Sequence, residues 1–150
     1  MAFFAIFSNY ILIPALISWS IAQVVKVLIE YLHSHCWDWS LLFLAGGMPS
    51  SHTSLITGMT HALGLELGFD SPVYAVGFVI SMVVIYDATG IRRQAGRHAK
   101  IINQMITDLA TGHPLKEELL REVLGHTPLE ALAGVLLGLV VSQVYWLIFR

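Results

Sequence analysis

Long apolar stretches, separated by short polar segments, dominate the pattern of the chain. A helix that crosses a bilayer needs about 20 mostly apolar residues, and three stretches are long enough: Ile6–Leu32, Pro72–Ile91 and Thr127–Phe149. The second carries a single acid, Asp87, close to its end, and the third carries Glu130 in its first turn. We therefore predict three membrane-spanning helices.

Two further apolar segments are shorter than a typical membrane-spanning helix. His52–Phe69 contains His61 and Glu66, and we predict a helix that packs among the spanning helices. Trp37–Ala45 is shorter still, so it predicts a re-entrant or interfacial segment that holds its tryptophans at the level of the lipid headgroups.

The segment Arg92–Gly125 differs from the rest because it is polar and amphipathic. It contains six of the eight Lys and Arg residues. Its pattern predicts a partly helical loop that is interrupted near Gly112–Pro114. Basic residues are enriched in cytoplasmic loops of membrane proteins, so we place this segment in the cytoplasm.

Following the helices back from that loop brings several polar residues to one membrane surface. The helix of Pro72–Ile91 would run inward and the helix of His52–Phe69 outward, which places the start of the latter on the cytoplasmic side. The first helix would deliver Lys26 to the same side, and His126 follows the basic loop directly. The topology thus predicts a polar site at the cytoplasmic face.

Composition supports a membrane protein and argues against a nucleic-acid-binding one. Hydrophobic residues make up 56% and charged residues 12% of the chain, whereas an average soluble domain has roughly 25% charged residues. The net charge of −2 gives no overall basic field. We predict an all-α, polytopic membrane helical bundle of about four main helices in one domain, residues 1–150. The sequence does not indicate its oligomeric state.

The first candidate motif is a helix entrance that carries a histidine. Pro49 and the hydroxyls of Ser50 and Ser51 suit the start of a helix, whose free N–H groups favour phosphate. His52 would lie in the first turn, where it could donate a proton to a leaving group. The alternative is a capped helix with an incidental histidine.

The second candidate motif pairs His126 with Glu130. Residues four apart share a helix face, and a carboxylate on one imidazole nitrogen leaves the other nitrogen free to attack. An ordinary pair at a helix start is the alternative reading.

Cations near the predicted surface could bind phosphate. Arg92 and Arg93 could clamp it through bidentate hydrogen bonds or could simply anchor a helix end at the headgroups. Lys26 could point into a polar cavity, although an ion pair with Glu30 one turn away is favoured by spacing alone. The remaining histidines and Cys36 form no zinc-ligand pattern, so we predict no metal site.

These motifs resemble a known family. Pro49-Ser50-Ser51-His52 resembles the Pro-Ser-Gly-His element of the type 2 phosphatidic acid phosphatases, which share a superfamily with vanadium haloperoxidases. The stretch His126–Gly134 resembles that family's final element, His-x-Pro-x-Asp-Val-Leu-Ala-Gly. The resemblance extends roughly from Lys26 to the end of the chain and is closest to a small divergent branch.

The resemblance implies a role for each matching residue. His126 would be the phosphate nucleophile and Glu130 the acid that orients it. His52 would protonate the leaving group. The backbone near Ser50 and Ser51 would hold phosphate oxygens.

The remaining roles concern cations, and they come with departures from the family pattern. Lys26 matches the family's lysine, but His33-Ser34 stands where the family has Arg-Pro. Ser51 replaces a glycine and Glu130 an aspartate. Arg121 is one residue short of the family spacing, so Arg92 or Arg93 is the preferred counterpart of the family arginine.

The resulting hypothesis is a metal-independent and cofactor-free phosphatase. It would hydrolyse a lipid phosphate monoester or pyrophosphate through a phosphohistidine. The alternatives are an inactive lipid-phosphate-binding protein and a transporter that retains the cationic pocket. A vanadate-dependent haloperoxidase fits a membrane-embedded chain least well.

Overall fold

Five α-helices make up most of the described structure. The computed structural model describes residues 3–42, 47–109 and 126–150. The helices are α1 (Leu12–Ser34), α2 (Ser51–Leu67), α3 (Pro72–Thr89), α4 (Ile91–Leu109) and α5 (Pro128–Phe149), with short 3-10 helices at Phe3–Ser8 and Trp39–Leu42. The all-α bundle predicted from the sequence is confirmed.

The first helix begins later than the apolar pattern predicts. The side chain of Asn9 accepts hydrogen bonds from the backbone N–H groups of Ile11 and Leu12, at 2.9 and 3.0 Å. An asparagine that bonds to the backbone ahead of it favours a turn over a continuing helix. The predicted Ile6–Leu32 helix is therefore divided into a 3-10 turn and α1.

Three regions contain a stretch that is long and apolar enough to cross a membrane, namely Leu12–Ser34, Pro72–Thr107 and Pro128–Phe149. In the second region α3 is apolar, whereas α4 is amphipathic. Large apolar side chains on these helices point outward: Val76 is 60% exposed and Leu136 is 54% exposed. Such surfaces would be unfavourable in water over this extent, so they face lipid. The protein is an integral membrane protein.

The α2 helix lies in the centre and packs against α1, α3 and α5, which agrees with the prediction for His52–Phe69. Small and hydroxylated residues fill these contacts, as in other membrane bundles. Ser18 of α1 and Ser54 of α2 each donate a side-chain hydrogen bond to the other's carbonyl oxygen, at 3.0 and 3.1 Å. A Cβ at Gly138 of α5 would lie 2.6 Å from the Ser54 carbonyl oxygen, so the backbones of α2 and α5 approach closely.

The helix directions bring one end of the bundle together. α1 and α3 run toward the end that holds Lys26 and Ala88, while α2 and α5 start there and run away. We call it the polar end. The backbone N–H of His126 donates to the Ala88 carbonyl at 3.1 Å, and that of Ser50 donates to the Glu130 carbonyl at 3.0 Å. These bonds tie the starts of α2 and α5 to the end of α3.

Aromatic side chains lie beside the polar end. The rings of Tyr31 and Trp37 stack with centroids 4.2 Å apart, and Trp37 and Trp39 stack at 5.5 Å. Both tryptophans are exposed. In its described part, the predicted segment Trp37–Ala45 contains the short 3-10 helix Trp39–Leu42. Residues 43–46 lie outside the described residues.

The segment after α3 is helical as far as Leu109. It follows α3 after a break at Gly90. The predicted interruption near Gly112–Pro114 and the candidate arginine Arg121 lie outside the described residues.

Candidate functional site

His126 is buried at the start of α5, with 3% of its surface exposed. Thr127 caps the helix, and Pro128 is its first residue. The Glu130 N–H donates to the Thr127 hydroxyl at 3.3 Å, and the Glu130 carboxylate accepts from the Thr127 N–H at 3.1 Å. This reciprocal pair is a capping box, and it fixes the carboxylate next to the histidine.

The same carboxylate oxygen lies 3.1 Å from Nδ1 of His126. An ionised carboxylate can only accept hydrogen bonds, so a neutral His126 carries its proton on Nδ1. The lone pair is then on Nε2. The sequence predicted this pair from spacing, and the structure brings the two side chains together.

His52 lies in the first turn of α2, opposite His126. The two imidazole centroids are 6.3 Å apart with a 57° angle between the rings. That separation allows both rings to reach one phosphoryl group. His52 also lines a cavity of about 300 Å³ with Val84, Asp87 and Ala88 of α3.

The start of α2 is a buried helix N-terminus. Ser50 is the N-cap, and its side chain accepts from the Thr53 N–H at 3.4 Å. Ser50 and Ser51 are 0% and 1% exposed. The N–H groups at a helix start carry partial positive charge, which attracts an anion.

Lys26 reaches this helix start from α1. Its Nζ donates to Ser51 Oγ at 3.2 Å and to Gln23 Oε1 at 2.8 Å, and the residue is buried. The prediction from spacing alone, an intrahelical ion pair between Lys26 and Glu30, is wrong. The Lys26 side chain turns inward toward α2 instead.

Gln23 was not singled out from the sequence. Its amide oxygen accepts from Lys26, and its amide nitrogen donates to the Leu42 carbonyl at 2.7 Å. It therefore links the lysine to the 3-10 helix of Trp39–Leu42. Gln23 lies three residues before Lys26, and residues at this spacing share a helix face. That spacing could have indicated the contact from the sequence.

Arg92 and Arg93 lie in the first turn of α4, directly after the end of α3 that carries Ala88. Their side chains lie outside the described part of the structure. Their backbone positions are therefore at the polar end, and the prediction that they clamp phosphate stays a prediction.

A second cavity of about 300 Å³ lies against α2 on the side facing α3 and α5. Its walls include Phe78 and Met82 of α3 and Val135 and Leu139 of α5. Val135 and Leu139 follow Glu130 by five and nine residues, which corresponds to distances of about 7.5 and 13.5 Å along the helix axis. We call this cavity the apolar crevice, and it lies below the polar end. Within the described ranges, no three His, Cys, Asp or Glu side chains are grouped as possible metal ligands.

Comparisons with known proteins agree with the motifs. Residues 7–141 match the Divergent PAP2 family. The chain is 37% identical over 148 residues to a protein of Bacillus subtilis (strain 168) named "Uncharacterized membrane protein YuiD", covering 91% of this chain and 94% of that protein. No solved structure matches the chain. A match over most of the chain establishes the relationship: this protein is a membrane protein of the Divergent PAP2 family.

Proposed function

We propose that this protein is a membrane-embedded phosphatase that hydrolyses a lipid phosphate monoester or pyrophosphate through a phosphohistidine at His126. The observation that carries the proposal is the buried pair of His126 and Glu130, 3.1 Å apart, in which a neutral His126 has its proton on Nδ1 and the lone pair that a nucleophile needs on Nε2. The His52 ring, whose centroid lies 6.3 Å from that of His126, would supply an acid to the leaving group.

In the first step, Nε2 of His126 attacks phosphorus and the bond between phosphorus and the leaving oxygen breaks. Protonated His52 gives its proton to that oxygen, so the product leaves as an alcohol or as a lipid monophosphate. Glu130 stabilises the positive charge on the His126 ring. General acid catalysis of this kind contributes typically about 10²–10⁴-fold.

In the second step, water attacks the phosphohistidine. Neutral His52 accepts a proton from the water as the new bond to phosphorus forms. The bond between phosphorus and Nε2 breaks, and its electron pair returns to His126. Inorganic phosphate leaves, and both histidines regain their starting protonation states.

Positive charge at the polar end suits the phosphoryl oxygens. The N–H groups at the start of α2, around Ser50 and Ser51, and the Lys26 ammonium would stabilise the charge that develops in each step. Arg92 and Arg93 at the start of α4 would add to it. We propose no metal or cofactor in either step.

The apolar crevice supports a lipid substrate. A phosphate held at the polar end would have its hydrophobic tail directed down into the crevice between α3 and α5. Burial of a hydrocarbon chain there is favourable. A small soluble phosphate ester would leave the crevice unused.

Phosphate release by the purified protein tests the proposal. The substrates are phosphatidic acid, lysophosphatidic acid and a polyprenyl pyrophosphate in detergent micelles, with and without a chelator. We expect release by the wild type that is unaffected by the chelator, is lost in His126→Ala, and persists in His35→Asn. His35 is an exposed histidine just after α1, and asparagine tolerates its left-handed backbone conformation, so it provides a matched control.

Binding without turnover is the second candidate function. The departure at His33-Ser34 favours it, because these residues are exposed at the end of α1 where the family has a phosphate-binding arginine. Vanadate or phosphate binding by a folded protein that releases no phosphate from any substrate would support this candidate. Movement of a labelled lipid phosphate across vesicles without hydrolysis would support transport.

A further inference from the structure

The α4 helix separates apolar and polar residues onto opposite faces. Ala95, His98, Ile102 and Met105 recur at spacings of three and four residues on one face. Arg93, Arg97, Lys100 and Gln104 recur at the same spacings on the other. This periodicity matches the helix repeat, so each set forms a continuous stripe, which we call the apolar face and the basic face of α4.

The apolar face is not covered by the described part of the bundle. Ile102 and Met105 are 41% and 60% exposed, and the neighbouring Ile101 is 52% exposed. Among the residues of α4 whose side chains the structure describes, the buried positions are Gly96 and Asn103, seven residues apart on one flank. The helix therefore contacts other residues through that flank and leaves its apolar face outside.

The exposed apolar face continues the lipid-facing surface of α3. Tyr86 of α3 is 73% exposed and Val83 is 62% exposed. A groove of about 460 Å³ runs between Tyr86 and the residues Ala95 and His98 of α4. Because this side of α3 faces lipid, lipid that contacts Tyr86 can also reach the apolar face of α4 across the groove.

The charges of α4 complement a membrane surface. The helix carries four basic side chains and one acidic side chain, Asp108. Helices with such a distribution lie in the interface, with the apolar face among acyl chains and the basic face toward lipid phosphates. Each basic residue near an anionic surface contributes to this attraction.

We propose that α4 lies in the bilayer interface at the polar end, with Ile102 and Met105 inserted among the lipid chains and its basic face toward anionic headgroups and water. The partner is the lipid bilayer of the protein's own membrane. This position holds the first turn of α4, with Arg92 and Arg93, at headgroup depth beside His126. The proposal does not depend on the phosphatase activity.

Spin labels on single cysteines test the proposal. Cys36 is the single cysteine and is exposed, so a Cys36→Ser background accepts Ile102→Cys or the matched control Gln104→Cys. Both positions are exposed, so either label fits without disturbing a core. The labelled proteins are placed in vesicles of phosphatidylcholine and phosphatidylglycerol, and collisions with oxygen and with a water-soluble nickel chelate are measured.

Oxygen concentrates in the bilayer and the nickel chelate in water. We expect the oxygen-to-nickel collision ratio to be several-fold higher at Ile102→Cys than at Gln104→Cys, and Met105→Cys to behave like Ile102→Cys. Equal ratios at the two faces would overturn the proposal. Shielding of the Ile102 label from both reagents would overturn it as well, because that result means a protein contact, such as a second copy of the chain, covers the apolar face.

Discussion

A single carboxylate at Glu130 serves both the helix and the histidine. One of its oxygens accepts the Thr127 N–H and lies 3.1 Å from Nδ1 of His126. The helix start and the nucleophile's orientation are therefore coupled. A substitution that keeps a hydrogen-bond acceptor at this position but removes the charge affects the two roles to different degrees, which makes them separable.

Replacement of Glu130 by glutamine separates them. The amide oxygen of Glu130→Gln can still accept the Thr127 N–H, so the fold should persist. The amide is neutral and cannot stabilise a positive His126 ring, so we expect phosphate release to fall by about a hundredfold or more. Steady-state phosphate release and a thermal melt of the same preparation measure the two effects. Retained activity with an unchanged melt would contradict the assigned role.

Single residues show where sequence reasoning succeeded and where it failed. The His126–Glu130 pair was predicted from helical spacing, but His126 precedes the N-cap Thr127, and the capping box is what holds the Glu130 carboxylate beside it. The inward turn of Lys26 was not predictable, because the choice between Glu30 and Ser51 depends on which helix packs against α1. That choice is a tertiary contact and leaves no local pattern in the chain.

At the level of helices, close approach of α2 and α5 holds the site together. Gly138 lies where a Cβ would be 2.6 Å from the Ser54 carbonyl oxygen and 2.8 Å from the Gly58 nitrogen. Both neighbours are backbone atoms, which cannot move without separating the helices. The two helices carry His52 and His126 at their starts, so their spacing sets the distance between the imidazoles.

We expect Gly138→Ala to destabilise the protein by about 1–3 kcal/mol, the usual cost of overpacking. The matched control is Gly77→Ala, where the nearest atom to a new Cβ is a methyl carbon of Leu63 at 3.0 Å. A side-chain end can shift, so its loss should be smaller. Unfolding in detergent measures both, and equal losses would contradict the close α2–α5 packing.

The apolar crevice gives a second prediction at this scale. Leu139→Trp places a larger side chain in the crevice wall. We expect phosphate release from a long-chain lipid phosphate to fall about tenfold or more, while release from a short-chain analogue stays near the wild-type rate. Leu136→Trp is the control, because Leu136 is 54% exposed on the lipid-facing side of α5.

Parallel assays of both substrates with both variants separate a filled crevice from general damage. The crevice has no role in substrate binding if Leu139→Trp lowers the two rates equally. The same conclusion follows if the control reproduces its effect.

The helices themselves were largely predictable, because apolar length specifies a membrane helix. The start of α1 was misplaced by several residues since Asn9 redirects the backbone through its side chain. The contacts between helices were not predictable. Glycines and hydroxyls such as Gly138 and Ser54 occur in many positions of the chain, and their pairing appears only in three dimensions.

At the scale of the whole molecule, the order of the apolar segments predicted that polar residues meet at one end of the bundle. Lys26, His52 and His126 come from three different helices, and the structure brings them to one end of the bundle. This convergence was predictable because the alternating directions of the helices follow from counting the apolar segments. The side of the membrane on which this end lies stays a prediction from the bias of Lys and Arg.

Labelling from outside intact cells checks the sidedness. In the Cys36→Ser background, Gln104→Cys carries an exposed thiol on the basic face of α4. We expect a membrane-impermeant maleimide to leave it unlabelled until the cells are permeabilised, because the polar end is predicted to face the cytoplasm. Labelling of intact cells would place the site on the outer face instead.

The central claim is that His126 carries the phosphoryl group, and the most direct measurement is to trap it there. His52→Ala removes the group that activates water, while an aryl phosphate ester has a leaving group that needs no proton. Incubation of this variant with the ester, followed by mass spectrometry under alkaline conditions, should show phosphate on His126. The double variant His52→Ala/His126→Ala should show none. Phosphate on a different residue, or turnover of the ester by His126→Ala at the wild-type rate, would contradict the account.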